Sequence, residues 1–118
     1  FIRDTRYTYQ FLQQHESFTL SFFNEKYRNA LRICGTMSGR NTDKVKEAGL
    51  TPLETPSGLM SFEEARMIIE CKKMFIQELD YANLAEPYKS KIMEEVYKNE
   101  PSKHQMFISE IVNIWIKK

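Results

Sequence analysis

The strongest constraint on the fold is the final stretch of the sequence, residues 104–116. Apolar side chains occupy most of its even positions, from Met106 to Ile116, and its odd positions include Phe107 and Trp115. Alternation with a period of two is typical of a β-strand, and a strand that is apolar on both sides is buried on both faces. The sequence therefore predicts a last strand that is central in a sheet or lies at an interface.

Further strands are predicted upstream. In residues 17–23, aromatic and aliphatic side chains alternate with polar ones, which predicts a half-buried strand. Residues 61–79 alternate as far as Lys73, where the apolar set changes phase. They predict two extended segments or one long strand that is bent at a β-bulge. Residues 1–3 have the pattern of the end of a strand.

Short helices are predicted between these strands. We expect Asp4 or Thr5 to cap the first helix, and Gly35 and Gly49 to end the second and third. The fold class is thus mainly β with short helices, closed as a small barrel or a sandwich. Because these strands are few for such closure, we expect residues of the fold to be missing before Phe1. The predicted helices cover residues 6–14, 24–34, 43–48 and 84–97. The proline-containing segments are predicted to be a loop or an edge over 51–59 and a loop over 99–103.

Composition limits the classes of function. The 17 basic residues nearly balance the 16 acidic ones, for a net charge of +1, which excludes a strongly basic nucleic-acid-binding protein but permits a local basic patch. Cys34 and Cys71 are too few for a disulfide framework, and they lack zinc-ligand spacing. No apolar run approaches the ~20 residues that span a bilayer. We therefore expect one domain over residues 1–118, in the reducing cytoplasm, with no metal, membrane or nucleic-acid partner.

The first candidate site lies at a predicted strand-to-helix junction, which contains Arg3, Arg6, Tyr7 and Thr8. The start of a helix presents free N–H groups and the positive end of its dipole, and arginine binds phosphate through two donors at once. The junction therefore suits a phosphate group. The alternative is that the arginines are solvated and that hydroxyl groups cap the helix.

The second candidate site is a glycine-containing turn with Ser38, Gly39, Arg40 and Lys44. Its backbone can approach a ligand closely, and its two cations can meet an anionic or electron-rich group. The turn lacks the Gly-Lys-Ser/Thr ending of a P-loop, and the alternative is a plain polar loop. His104 is a third candidate, although a lone histidine is more often structural than a ligand.

Taken in order, these segments resemble the flavin reductase-like family with the FMN-binding split barrel, and its flavoredoxin-like members in particular. The resemblance spans nearly the whole chain and keeps the order and spacing of the motifs. Such members carry earlier barrel strands, so the chain corresponds to the C-terminal two-thirds of the family domain. The resemblance rests on Arg3-x-x-Arg6-Tyr7-Thr8-Tyr9, the aromatic strand 18–23, Cys34-Gly35-x-x-Ser38-Gly39-Arg40-x-x-Asp43-Lys44 and the strand 104–111.

The resemblance implies a split β-barrel, incomplete at its N-terminus, that binds FMN non-covalently at a homodimer interface. Arg6, Tyr7 and Thr8 would hold the phosphate end, with Arg3 adding to it, and Lys44 would stabilise either the phosphate or the reduced flavin. No catalytic residue is identified. The implied cofactor-binding residues are Arg3, Arg6, Tyr7, Thr8, Ser38, Gly39, Arg40, Lys44 and His104.

Three functions are compatible with these features. The first is an oxidoreductase that transfers a hydride from NAD(P)H to FMN, in which the cofactor supplies the redox chemistry and the protein supplies binding and electrostatics. The second is a flavin-binding electron carrier or flavin store without dehydrogenase activity. The third is an interaction domain that has lost the cofactor. Nothing in the sequence distinguishes NADH from NADPH or identifies the electron acceptor.

Overall fold

The computed structural model describes residues 1–40, 42–98 and 102–118, which contain a four-stranded sheet and a separate two-stranded hairpin. Every strand pairing is antiparallel, which confirms the predicted fold class of mainly β structure with short helices. The strands are β1 (Ile2–Arg3), β2 (Ser17–Phe22), β3 (Pro52–Glu54), β4 (Met60–Phe62), β5 (Met67–Glu78) and β6 (His104–Ile116), and the sheet has the order β1–β6–β5–β2.

The long pair β5–β6 forms the centre of the sheet. The strand β6 lies between β1 and β5, as its apolar pattern predicts. The register of β5 on β6 shifts between Glu70 and Cys71 and again between Lys73 and Phe75. An extra residue on one strand bends that strand. The irregularity predicted after Lys73 is therefore confirmed, and the region 61–79 contains the end of β4 and the whole of β5.

The hairpin β3–β4 covers one face of the sheet. Its turn contains Gly58 at φ 83°, in the left-handed region that favours glycine. Thr19 donates to the carbonyl of Met60 at 2.7 Å, and the hydroxyl groups of Ser21 and Ser61 are 2.7 Å apart. The sequence predicted either a loop or an edge for residues 51–59. Among the described strands, β3 pairs only with β4, so this part of the segment is an edge strand.

Helices connect the strands: α1 (Tyr7–Gln14), α2 (Arg28–Thr36), α3 (Lys44–Ala48) and α4 (Tyr88–Glu95). Two predicted boundaries are wrong. Arg6, and not Asp4 or Thr5, occupies the N-cap position of α1, where no side chain caps the helix. Gly35 lies within α2, which continues to Thr36, whereas Gly49 ends α3 at φ 71° as predicted. Asn41 and part of the predicted loop, residues 99–101, lie outside the described residues.

The two faces of the sheet differ in polarity. Across β2, β5 and β6, the rows Thr19–Glu70–Asn113 and Ser21–Ile68–Trp115 contact the hairpin. The intervening rows, Leu20–Ile69–Ile114 and Phe22–Met67–Ile116, form the opposite side, which we call the open apolar face. The half-buried strand predicted over residues 17–23 is thus covered on its Thr19 and Ser21 side, because those hydroxyl groups bond the hairpin. Leu20 is 46% exposed.

Within the described ranges, no helix combines the length and the apolar character that crossing a membrane requires. The same part of the chain contains no cluster of three or more His, Cys, Asp or Glu side chains that could hold a metal ion.

Candidate functional site

The first predicted cluster lies where β1 ends and α1 begins. Arg3 is paired with His104 across the β1–β6 ladder, which brings the first strand beside the start of the last one. Arg6 precedes the first turn of α1, and that turn contains Tyr7 and Thr8. No acidic residue lies in that turn, so the free N–H groups and the positive dipole end of α1 favour an anion.

The second predicted cluster packs against this junction. Arg40 donates from Nη1 to the carbonyl of Thr5 at 3.1 Å, and its guanidinium carbon lies 5.3 Å from the centre of the Tyr7 ring. Lys44 donates from Nζ to the carbonyl of Cys34 at 2.9 Å, close to the end of α2. A cation at the C-terminal end of a helix is favourable. These contacts hold the turn beside the start of α1.

Gly39 is the point of closest approach between the two clusters. A Cβ atom built at this position would lie 2.8 Å from Cδ1 of Tyr7 and 3.2 Å from Cε1. Distances this short force the neighbour to move, and the Tyr7 ring is also packed edge-on against Phe11 at 5.0 Å. The turn can therefore reach Tyr7 only because residue 39 has no side chain.

The start of α3 does not add a second anion site. Asp43 caps this short helix by accepting a hydrogen bond from the backbone N–H of Lys46 at 3.2 Å. Its carboxylate already satisfies the helix end, and it carries the charge that a phosphate would bring. The second cluster thus contributes the side chains of Arg40 and Lys44, and not a helix terminus.

The two clusters and His104 line one cavity of about 550 Å³. Four of its lining residues are cationic, and none of the lining residues that the structure describes is Asp or Glu. We call this space the cationic cavity. An excess of positive charge with no internal carboxylate favours a bound anion. All of the predicted cofactor-binding residues line it: Arg3, Arg6, Tyr7, Thr8, Ser38, Gly39, Arg40, Lys44 and His104.

The four cations are not equally available to a ligand. Arg3 donates from Nη2 to the carbonyl of Val96 at 2.6 Å and lies over the Tyr97 ring. Arg40 and Lys44 bond carbonyl groups of Thr5 and Cys34. The exposed side chain of Arg6 has no hydrogen bond or ion pair within the described part of the chain. Among these four cations, Arg6 is therefore the one whose side-chain donors are all available to bind an anion.

The surroundings of His104 favour its uncharged form, because they lower its pKa. Burial lowers its pKa below the ordinary histidine value, and the positive charges of Arg3 and Arg6 lower it further, against the opposing effect of Asp4. Its Nδ1 forms a short hydrogen bond with the hydroxyl group of Tyr97. His104 therefore adds a polar but neutral group to the wall of the cationic cavity.

A second cavity, of about 660 Å³, adjoins the cationic cavity and shares Phe1, Ile2 and Thr8 with it. Its other lining residues are largely apolar and include Phe11 and Phe18. Together the two spaces can accommodate a ligand that is anionic at one end and apolar at the other.

Known proteins resemble this chain in sequence pattern and in fold. The profile of the flavin reductase like domain family matches residues 1–118. The chain belongs to this family. No curated protein sequence matches the chain.

Several solved structures share the fold of this chain. Flavoredoxin of Desulfovibrio vulgaris (Miyazaki F) is 24% identical with a TM-score of 0.70, and the match covers 99% of this chain and 51% of that one. An FMN-binding protein from Thermus thermophilus, with bound p-hydroxybenzaldehyde, is 17% identical with a TM-score of 0.70 and coverages of 99% and 53%. A protein described as a flavin reductase with a split barrel domain, from Shewanella frigidimarina, is 17% identical with a TM-score of 0.69 and coverages of 98% and 49%. The chain spans about half the length of these structures.

The predicted site of this flavin reductase like chain omitted several residues that line the cationic cavity. They come from the end of α2 and the turn that follows it, and from the region before α1. The motif on which the family resemblance rests contains Cys34 and Gly35, so these two lining residues could have been predicted from it. Tyr97, which bonds His104, follows α4, and no local pattern marks it. The omitted lining residues are Phe1, Ile2, Thr5, Cys34, Gly35, Thr36 and Met37.

Proposed function

We propose that this chain binds FMN non-covalently, with the phosphate in the cationic cavity. The observation that carries the proposal is the meeting of four cations, without a carboxylate among the described lining residues, at the start of α1. The donor set fits the group, because a phosphate needs several N–H and O–H donors and a compensating charge. The adjoining apolar cavity suits the neutral, aromatic part of the same ligand.

In this proposal Arg6 and Thr8 are the principal phosphate-binding residues. Arg6 contributes two charge-assisted hydrogen bonds and Thr8 a neutral one, while free N–H groups of α1 add to them. Arg3, Arg40 and Lys44 contribute mainly charge, because each donates to a protein carbonyl as well. Tyr7, Ser38 and Gly39 shape the wall, and His104 adds a polar group.

The bound flavin would supply the chemistry of hydride or single-electron transfer. We propose that the full protein is an NAD(P)H-dependent FMN reductase that works in the cytoplasm. Cys34 and Cys71 are unpaired thiols, in keeping with a reducing compartment. The competing proposal is a flavin-binding electron carrier or flavin store that NAD(P)H does not reduce.

A titration of Arg6→Ala with FMN and with riboflavin tests the phosphate assignment. A charge-assisted bond contributes about 1.5–3 kcal/mol, so the loss of even one should lower FMN affinity roughly ten-fold to 150-fold, and the loss of both should lower it further. Thr8→Ala should cost about ten-fold or less. Riboflavin has no phosphate, so its affinity should hardly change in either variant.

Arg28→Ala is the matched control, because the Arg28 side chain is 81% exposed and is paired only with Glu25 at 3.3 Å within the described residues. It should bind both ligands normally. An equal loss of FMN and riboflavin binding in Arg6→Ala would mean that Arg6 supports the fold or the ring, and the phosphate assignment would fail.

Stopped-flow mixing of the FMN-loaded protein with NADH or NADPH separates the two redox proposals. Bleaching of the flavin absorption band by either nucleotide, at a rate that saturates with its concentration, is expected of a reductase. A flavin that persists with both nucleotides, but accepts electrons from a chemical reductant, would identify a carrier or store.

We also propose a homodimer formed through the open apolar face, where Ile114 is 53% and Ile116 70% exposed. Contiguous apolar patches of this kind mark interaction surfaces, and a stable dimer buries more than ~1,200 Å² in total. Light scattering should give a dimer for the wild type and a monomer for Ile114→Lys. A wild-type monomer at micromolar concentration would contradict the proposal.

A further inference from the structure

Tyr97 lies behind the cationic cavity and contacts two residues that line it, His104 and Arg3. It follows α4, is 9% exposed, and its hydroxyl group is hydrogen-bonded to Nδ1 of His104. The two rings are 5.7 Å apart and nearly perpendicular, at 78°. Of the two residues, His104 lines the cavity and Tyr97 does not. An effect of Tyr97 on a ligand can therefore pass only through a residue that it contacts, and its hydroxyl group contacts the imidazole of His104 at Nδ1.

The surroundings of both partners favour their neutral forms, because they raise the pKa of Tyr97 and lower the pKa of His104. Burial and the neighbouring Tyr81 raise the pKa of Tyr97 to about 12, so the phenol keeps its proton. Burial and the charges of Arg3 and Arg6 lower the pKa of His104, while Asp4 opposes this effect. A neutral imidazole has one N–H donor and one acceptor nitrogen. One proton therefore lies between Tyr97 and His104, and its position fixes the tautomer.

The surroundings of Tyr97 decide where that proton lies. The Arg3 guanidinium, 4.9 Å from the ring centre, can only donate. The hydroxyl oxygen of Tyr81 already accepts the backbone N–H of His104 at 2.8 Å, and its own proton is directed to the carbonyl of Ser102 at 3.4 Å. The Tyr81 oxygen has already used one of its two acceptor positions, so Nδ1 of His104, which lies within hydrogen-bond distance, is the preferred acceptor for the Tyr97 hydroxyl among the described neighbours.

We propose that Tyr97 is a positioning residue that donates to Nδ1 and so holds His104 in the tautomer with its proton on Nε2. The nitrogen left for a ligand is then an N–H donor and not a base. A donor suits the oxygen atoms of a phosphate or a carbonyl group. This consequence for the ligand rests on the proposed FMN site, but the tautomer itself does not.

The tautomer is measurable by nitrogen NMR on protein labelled with ¹⁵N-histidine, without any ligand. The chain has only two histidines, so His15→Gln assigns the signals of His104. In the wild type at neutral pH we expect an unprotonated Nδ1 and a protonated Nε2. In Tyr97→Phe we expect a mixture of tautomers and an upward shift of the His104 titration, because the neutral form loses a hydrogen bond.

Two controls separate positioning from a general structural effect. Tyr81→Phe removes a hydroxyl from the adjacent ring, 4.7 Å away, and should leave Nε2 protonated. Tyr88→Phe, at a residue that is 65% exposed, should change nothing. A protonated Nδ1 in the wild type would overturn the proposal even if Tyr97→Phe failed to fold. A folded Tyr97→Phe with an unchanged tautomer and titration would overturn it as well.

Addition of FMN to the labelled wild type separates this inference from the proposed function. If the ligand lies in the cationic cavity, the Nε2 signal of His104 should move while Nδ1 stays unprotonated. An unmoved Nε2 with an intact tautomer would contradict the contact with FMN and leave the role of Tyr97 standing.

Discussion

Glu70 and the four cations of the cationic cavity are charged groups of one small fold, yet their surroundings are opposite. Glu70 lies under the hairpin and is only 1% exposed. It accepts hydrogen bonds from Nε1 of Trp115 at 2.5 Å and from Nδ2 of Asn113 at 3.4 Å. Thr55 and Ser57 of the hairpin turn bond the same carboxylate. The cavity has charge of the other sign, with no carboxylate among its described lining residues.

The difference separates a charge that serves the fold from charges that serve a ligand. A buried carboxylate is costly unless donors surround it, and Glu70 is surrounded by donors from the sheet and the hairpin. Cations that share a cavity repel one another, and an external anion relieves this repulsion. We therefore expect changes at Glu70 to affect stability and changes in the cavity to affect ligand binding.

Glu70→Ala should have the largest effect on stability. It leaves the buried Thr55 hydroxyl and the Trp115 and Asn113 donors without their acceptor, which should cost about 2–4 kcal/mol of the free energy of unfolding. Glu70→Gln keeps one acceptor oxygen and should cost less. The measurement is urea unfolding followed by Trp115 fluorescence and circular dichroism.

Glu110→Ala is the control on the same sheet, because Glu110 is exposed on β6. It should change the free energy of unfolding by less than about 0.5 kcal/mol. A Glu70→Ala protein as stable as this control would show that the carboxylate does not hold the hairpin on the sheet.

Acidification should destabilise the protein through the same carboxylate. Burial alone would raise the pKa of Glu70, but hydrogen bonds from Trp115, Thr55, Ser57 and Asn113 outweigh it and hold the pKa below the ordinary value. Its stabilising contribution is therefore complete above the unfolded-state pKa of about 4.3 and is lost as the pH falls through the lower folded-state value. Urea midpoints measured from pH 6 downward should fall less steeply for Glu70→Gln than for the wild type. Parallel curves would contradict this role.

Sequence patterns predicted the scaffold better than the buried charge. Period-two alternation located β2, β5 and β6, and the phase change after Lys73 located a bulge. Glu70 alternates with apolar residues as a solvated strand residue would, so the pattern alone does not predict its burial. The hairpin that buries it was not predicted, because Pro52 and Pro56 favour a loop over a strand. The clusters around Arg6 and Gly39 were ambiguous separately, and only the family resemblance joined them. Tyr97 was not predicted, because its partner His104 lies on another element.

Gly39→Ala tests how tightly the cavity wall is packed. The added methyl group would lie 2.8 Å from the Tyr7 ring, and overpacking of this kind typically costs about 1–3 kcal/mol. Displacement of Tyr7 would also disturb its contact with Arg40, so FMN binding should weaken along with stability. Calorimetric FMN titration and urea unfolding measure the two effects.

Gly35→Ala is the matched comparison for Gly39→Ala. Gly35 also lines the cavity, but it lies within α2 and a Cβ there meets nothing within 4 Å. Alanine is the better helix former, so this variant should gain roughly 0.5–1 kcal/mol. A neutral Gly39→Ala beside a stabilised Gly35→Ala would mean that the turn can move away from Tyr7 without cost.

The smallest expected change is the stability of ligand-free Arg6→Ala, and it is the sharpest contrast with Glu70→Ala. The exposed Arg6 side chain makes no hydrogen bond or ion pair within the described residues. Its removal breaks no such contact and relieves repulsion from the other cavity cations, so the free energy of unfolding should stay within about 0.5 kcal/mol of the wild type.

Saturating FMN should then stabilise the wild type, since a ligand that binds only the folded state adds RT ln(1 + [L]/Kd) to the free energy of unfolding. At the same FMN concentration Arg6→Ala should gain clearly less. If Arg6→Ala instead lost stability without ligand, as Glu70→Ala does, Arg6 would belong to the fold, and the division between the two charged regions would not hold.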